Sequence, residues 1–385
     1  MAQHFLKEHD LISEKASDLH FSSVVVDTHS DSLVWPTRHG VDIGVGQQQA
    51  QLDLPKMNEG GQNVQFFACF ASPSWIPKKK VVQVTLDYMD SFHTLMANYP
   101  GHIEQASTAD DVRRIRDFGK LAAILCVEGG HSIDGDLSIL RMYHHLGARY
   151  MTLTWNNTNG WADGVLGEPT HLGLSNFGKE VVLEMNRIGM LVDISHVAPS
   201  TFWDAINTTR KPVIASHSSA KAICASPRNL DDEQIRAVRD NGGVIGVNYE
   251  VTFVNEAYRL AKDSVAVEKQ ESLKKARKDF KSGSEDLLNV ETEIEKKFEE
   301  KFAEVSKPKW EEIVDHIDHM VTVAGVEHVG LGSDFDGATM PEGMEDCTKV
   351  PLITQELLKR GYTDGDVRKI LGENFMRVMD AGMGI

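Results

Sequence analysis

A repeated rhythm of short apolar stretches is what most limits how this chain can fold. Eight of them, at residues 23–26, 64–70, 121–127, 150–154, 190–194, 213–216, 244–248 and 328–332, are rich in β-formers and mostly continuous. Continuous apolar runs suit parallel strands covered on both faces, whereas alternating runs suit strands with one wet face. Longer helix-patterned segments separate them, such as 81–99, 177–188 and 231–240. The last has an acidic first turn, Arg236 and Arg239 further on, and Asn241-Gly242 as its stop. Alternating β and α units predict an α/β fold, and eight of them predict a (β/α)8 TIM-like barrel, with an open doubly wound sheet as the alternative. The 385 residues then read as one barrel domain over 1–385.

The rhythm breaks at 257–307, where the chain becomes charge-dense and Lys281-Ser282-Gly283-Ser284 interrupts it before Pro308. This predicts two charged helices inserted between the seventh and eighth strands. A solvated hairpin on the barrel rim is the plain expectation. A lid is one sharper reading, and a homodimer contact through Leu287, Leu288, Ile294 and Phe298 is another.

Composition removes several classes of function. Asp and Glu number 57 against 40 Lys and Arg, and a net charge of −17 repels a phosphate backbone, so nucleic acid is not an expected partner. No apolar run approaches the ~20 residues of a membrane span. Cys69, Cys126, Cys224 and Cys347 lie far apart and read as small buried hydrophobes. The start, MAQHFLKEHD, lacks an apolar signal core, which points to cytoplasm; a removed leader would make the protein periplasmic or secreted.

Chemistry collects where the runs end. The first leads into Asp27-Thr28-His29-Ser30-Asp31 and the third into Glu128-Gly129-Gly130. The fifth leads into Asp193-Ile194-Ser195-His196, the sixth into Ser216-His217-Ser218 and the eighth into Ser333-Asp334-Phe335-Asp336-Gly337. In a barrel such ends converge on one mouth. Each residue alone has a plainer reading: His-x-Asp as a loop hydrogen bond, His196 as a satisfied core histidine, Glu128 or Asp334 as a helix cap. Together they make a nitrogen and oxygen metal site without thiolate, suited to zinc and also to manganese or iron. Five ligands exceed what one zinc with an open position needs. Two divalent ions bridged by Glu128 use them all, with His29 and Asp31 on one side and His196 and His217 on the other. Asp315-His316-Ile317-Asp318-His319 reads instead as mainly helix surface with structural hydrogen bonds, since it lies in a helical stretch and lacks the His-Glu-x-x-His pattern.

These segments, with Gly173-Leu174-Ser175-Asn176-Phe177-Gly178, Cys224-Ala225-Ser226-Pro227-Arg228-Asn229 and the stretch 315–319, resemble the membrane dipeptidase (renal dipeptidase) family, a peptidase branch of the amidohydrolase barrels. The resemblance covers about 24 to 378 without the charged insertion. It implies a two-zinc barrel that hydrolyses dipeptides, including some with a D-residue at the C-terminal side. It carries the metal ligands onto His29, Asp31, Glu128, His196 and His217, the proton-handling aspartate onto Asp334, and the arginine for the substrate carboxylate onto Arg228. It also shows one departure. The family commonly has a histidine after the fourth strand that meets substrate, and here Leu153-Thr154-Trp155-Asn156 puts Trp155 there. An indole can donate one N–H but carries no charge, so Trp155 and Asn156 become candidate substrate contacts. The expectation is a metallo-dipeptidase acting through water activated between two ions. Another amidohydrolase, for an N-acyl amino acid, cyclic amide or lactone, is the alternative, and a non-catalytic binding barrel is a third.

Overall fold

The computed structural model describes residues 12–280, 285–301 and 305–383. Nine parallel strands run β1 (Val26–Ser30), β2 (Val64–Phe70), β3 (Ile103–Gln105), β4 (Leu121–Glu128), β5 (Ala148–Thr152), β6 (Leu191–Asp193), β7 (Ile214–Ala215), β8 (Val244–Val247) and β9 (Val329–Leu331). Their order is β2-β1-β9-β8-β7-β6-β5-β4-β3, and β2 also pairs with β4, which closes eight strands into a barrel. The extra strand, β3, pairs only with the start of β4, from Leu121 to Ala123. It escapes sequence reading because three residues carry no detectable period.

β4 is the longest strand, and all eight of its residues are buried, as the run Leu121–Glu128 demands. Helices pack outside. Asp232–Asp240 begins with a capping box in which Asp231 accepts from the Gln234 amide and Gln234 reaches back to Asp231.

β1 differs from expectation. It starts at Val26 rather than ending there, so Asp27, Thr28 and His29 lie within the strand. Polar residues are tolerated there because the barrel satisfies them. The buried Asp27 carboxylate accepts from Ser333 N and Oγ at 2.8 and 2.6 Å. Thr28 Oγ1 donates toward Ser216 O at 2.5 Å and Leu331 O at 2.9 Å. The same layer needs glycine: a Cβ on Gly332 would stand 1.9 Å from Ser216 O, and one on Gly246 would stand 2.5 Å from Thr28 Oγ1.

Between β8 and β9 come helices Glu256–Asp279 and Glu285–Lys301, which pack on each other. The expected turn at Lys281-Ser282-Gly283-Ser284, and the side chains of Leu287 and Leu288, lie outside the described residues. Phe298 is 1% exposed, so it is not free to meet a second copy. Among the described residues, nothing supports the homodimer contact.

The segment 315–319 corrects another expectation. It is helical, but His316 is fully buried rather than on the surface. Its Nε2 donates to Val254 O and its Nδ1 accepts from Ala220 N, both at 2.9 Å. His20 is held the same way, donating to Gly60 O at 2.8 Å and accepting from Thr354 Oγ1 at 2.7 Å. Both rings are satisfied as neutral imidazoles, and burial pushes each from 6.5 down to about 4. Below pH 6.5 the unfolded chain takes up protons that the folded chain refuses, so stability falls with acidification and levels off near pH 4. At about 1.4 kcal/mol per unit this amounts to roughly 3 kcal/mol for each histidine. Urea midpoints measured between pH 7.5 and 4.5 should carry this loss, added to the opposite contribution of the buried carboxyls that titrate in the same range. The His316→Gln variant should show a shallower fall, and an equal slope in the two proteins would refute the assignment.

Candidate active site

The strand ends deliver all six expected polar residues to one place. His29 lies in β1 and Glu128 closes β4, while Asp31, His196, His217 and Asp334 follow β1, β6, β7 and β9. Glu128 stands between two groups. Its Oε2 is 3.8 Å from His29 Nε2, and its Oε1 is 3.0 Å from His196 Nε2 and 3.7 Å from His217 Nε2. On the first side, His29 Nε2 is 3.9 Å from Asp31 Oδ2 and 4.0 Å from Asp334 Oδ1. On the second, the two Nε2 atoms of His196 and His217 approach to 2.8 Å.

Each imidazole is tied by its other nitrogen. His29 Nδ1 meets Tyr150 Oη at 2.7 Å, and that hydroxyl donates onward to Thr28 O at 3.0 Å. His217 Nδ1 meets Ser216 Oγ at 2.7 Å, and Ser216 donates to Asp193 Oδ2 at 2.6 Å. His196 Nδ1 donates to Asn156 Oδ1 at 2.8 Å. In all three, Nδ1 carries the proton and Nε2 presents a lone pair to the centre. His29 Nε2 is fully buried with no hydrogen-bond partner. A buried polar atom without a partner is costly unless something binds it.

Electrostatics point the same way. Burial holds His29 down at about 3 and holds His196 and His217 well below the usual range, so the rings are neutral, the state a metal requires. Burial pushes Asp31 and Glu128 far above the carboxylate range, with Asp334 adding repulsion to both, and burial lifts Asp334 to about 7. Carboxyls held this close and this deeply buried call for a compensating cation. Nitrogen and carboxylate donors of this kind fit divalent metals.

The model of the membrane dipeptidase family (peptidase family M19) matches residues 13–382. The chain belongs to this family. An uncharacterized dipeptidase of Schizosaccharomyces pombe is 33% identical over 396 residues, covering 97% of this chain and 83% of its own length. Among solved structures, the probable dipeptidase PvdM from Pseudomonas aeruginosa is 25% identical with a TM-score of 0.81, covering 96% of this chain and 97% of that one. A metallo peptidase from Rhodobacter sphaeroides, liganded with a phosphinate mimic of the dipeptide L-Ala-D-Ala, is also 25% identical, with a TM-score of 0.76 and coverage of 94% and 100%. The protein is thus a metal-dependent hydrolase of the M19 family, and among its described residues no helix is long and apolar enough to cross a membrane.

In this M19 barrel the cluster opens into a cavity of about 350 Å³ that Trp155, Asn156, Arg228 and Phe253 also line. Arg228 is 5% exposed, donates to His217 O at 3.2 Å, and sits 5.3 Å from the Phe253 ring centroid. Its Nε is buried without a partner. Burial lowers the guanidinium to about 10, which leaves it charged at neutral pH. Trp155 stacks on His196 with centroids 6.1 Å apart and leans on Phe70 at 5.2 Å. Asn156, expected to meet substrate, lines the cavity, and its Oδ1 accepts from His196 Nδ1, so it also holds that ring in place.

Sequence reading passed over Tyr150 and Asn248, and named Asp193 and Ser216 at the strand ends without giving them a role. Asn248 Nδ2 donates to Asp334 Oδ2 at 3.0 Å and so fixes that carboxyl. The only available signal was a polar residue inside an otherwise apolar run, as with Asp193. Tyr150→Phe removes the acceptor for His29 Nδ1–H and should weaken metal binding about 10- to 100-fold with the fold intact. Competition against a chelator measures this, and an unchanged affinity would count against the tether.

Proposed function

We propose that this protein is a two-zinc dipeptidase that cleaves the peptide bond of dipeptides with a free C-terminal carboxylate, L,D pairs included. The observation that carries the reading is the split of Glu128, with one oxygen toward His29 and the other toward His196 and His217. On this reading His29, Asp31 and Glu128 hold one ion, and Glu128, His196 and His217 hold the other. Charge supports two. Apart from Glu250, which pairs with Lys262 at 3.5 Å, the lining carries Asp31, Glu128, Asp334 and Asp336 against Arg228 alone. One dication leaves that wall negative, while two leave it slightly positive, as capture of a carboxylate requires. When bound, such ions polarise the scissile carbonyl and make water a nucleophile near neutral pH.

The chain's own residues do the rest. Arg228 takes the substrate carboxylate on its free N–H groups, where low dielectric strengthens the pair. This fixes the peptide's far end, sets its carbonyl over the cluster and selects short substrates. Asp334 keeps Oδ1 toward the His29 side while Asn248 holds Oδ2. Lifted to about 7 by burial, its carboxyl exchanges protons near neutral pH. It takes the proton from water and returns it to the leaving amine. The Trp155 ring replaces a charged partner with an apolar face, so orientation falls mainly on Arg228. The Rhodobacter relative that binds an L-Ala-D-Ala mimic supports the inclusion of L,D pairs.

Elemental analysis of the purified protein, run beside a panel of L,L- and L,D-dipeptides and N-acyl amino acids, tests the reading. Two zinc per chain and dipeptide turnover are expected. Turnover of N-acyl amino acids alone would favour the broader amidohydrolase reading. Asp334→Asn should lower kcat by about 10²- to 10⁴-fold with metal retained. Arg228→Ala should act mainly on KM for substrates with a free carboxylate, and equal loss on an amidated dipeptide would contradict its role.

A further inference from the structure

We propose that Asp336 and Gly337 are a positioning pair: Gly337 leaves the space in which Asp31 and Asp334 meet, and Asp336 fastens the loop that follows Asp31. The inference rests on the reading above, in which the cluster binds two divalent ions.

The segment after β9 is knitted to the end of β1. Asp334 N donates to His29 O at 3.1 Å, Asp31 N donates to Phe335 O at 2.9 Å, and Gly337 N closes a turn onto Asp334 O at 3.1 Å. Asp334 and Asp336 both take left-handed backbone, with φ of 66° and 67°. Such residues persist where their surroundings over-determine them.

Asp336 lines the cavity and could pass for a ligand. Its oxygens are already engaged. Oδ1 accepts from Gln51 N at 2.7 Å and Trp35 Nε1 at 3.0 Å. Oδ2 accepts from Ser32 Oγ at 2.6 Å and Leu52 N at 3.3 Å. Its own amide donates to Gln51 Oε1 at 2.5 Å. Four donors engage both oxygens, which makes this carboxylate an anchor rather than a ligand. All four come from residues 32–52, the stretch that begins right after Asp31.

Gly337 meets the opposite requirement. A Cβ there would stand 2.0 Å from Asp31 Oδ2 and 2.7 Å from Asp334 Oδ1. Its backbone is not left-handed, so alanine brings no backbone strain. The three atoms nearest that Cβ all belong to the two carboxylates. His29 Nε2, Asp31 Oδ2 and Asp334 Oδ1 all lie within 4.8 Å of one another, close enough to face one ion. Metal–ligand distances tolerate only about 0.2 Å, so an added methyl must push Asp31 out of reach. The side made by His196, His217 and Glu128 Oε1 is untouched.

The test is Gly337→Ala, with metal counted by elemental analysis after dialysis against a weak chelator. The parent should keep two ions per chain and the variant one. Dipeptide kcat should fall at least about 100-fold, as a roughly 1 Å displacement can produce, with KM nearly unchanged because Arg228 is not disturbed. Gly46→Ala lies in the anchored loop with nothing within 4 Å of the added Cβ, and it should behave as the parent does. If Gly337→Ala does not fold, Asp336→Ala should show the same loss of one ion and Asp336→Asn a partial return. Two ions and parental kcat in Gly337→Ala, or in Asp336→Ala should the first be unfolded, would overturn the proposal. A parent that binds two ions but turns over no dipeptide would overturn the functional reading instead, and the ion count would still judge this one.

Discussion

Three carboxyls and three imidazoles are held in one largely buried cluster by strands that have no freedom to part. That confinement governs the rest of the molecule. Closure of β2 onto β4 brings the strand ends together. Gly332 and Gly246 let backbone and the Thr28 hydroxyl fill the barrel's centre just below them. Like charges in low dielectric repel at a strength that exposed surface groups never reach. Positive charge among these groups therefore favours their ionised form over the protonated one that burial alone would impose. Arg228 supplies part of that charge from within the chain, and the family's divalent metal supplies the remainder.

The barrel was legible because its strands are buried on both faces and announce themselves as apolar runs. The cluster was legible because its charged and imidazole side chains interrupt those runs where they end. What stayed hidden works through partners distant in sequence. Tyr150 sits in a run of strand formers and looks like core, yet its hydroxyl ties His29 across the barrel. Ser216 looks like a turn residue, yet it relays between His217 and Asp193. β1 was placed too early because Asp27 and Thr28 look like loop residues, and partners such as Ser333 after β9 and Ser216 after β7 are distant in sequence. His316 was read with the rest of its helical stretch as mainly surface, with Asp315 and Asp318 on either side of it. Both of those pair with Arg360, while the histidine between them turns inward.

The charged hairpin is more than an appendage at its root. Thr252 and Phe253 line the cavity just before the helix Glu256–Asp279 begins. Glu256 accepts from Ala225 N at 2.8 Å, and Asn229 Nδ2 donates to Phe253 O at 2.8 Å. The turn that carries Arg228 is thereby stitched to the base of the insertion. The end of the cavity that would meet a substrate carboxylate is thus built jointly by the β7 and β8 loops.

The three tethered histidines have a consequence for how the protein meets its metal. A ring held at Nδ1 cannot swing its other nitrogen out of the site. The rotational freedom of these ligands is therefore lost when the chain folds and not when an ion arrives. Binding then carries little ordering entropy, and the donor geometry exists before anything occupies it. Folding and metal acquisition become separable events. Ions can exchange while the barrel stays closed, and a metal whose preferred geometry does not match the fixed rings gains nothing from waiting for them to adapt.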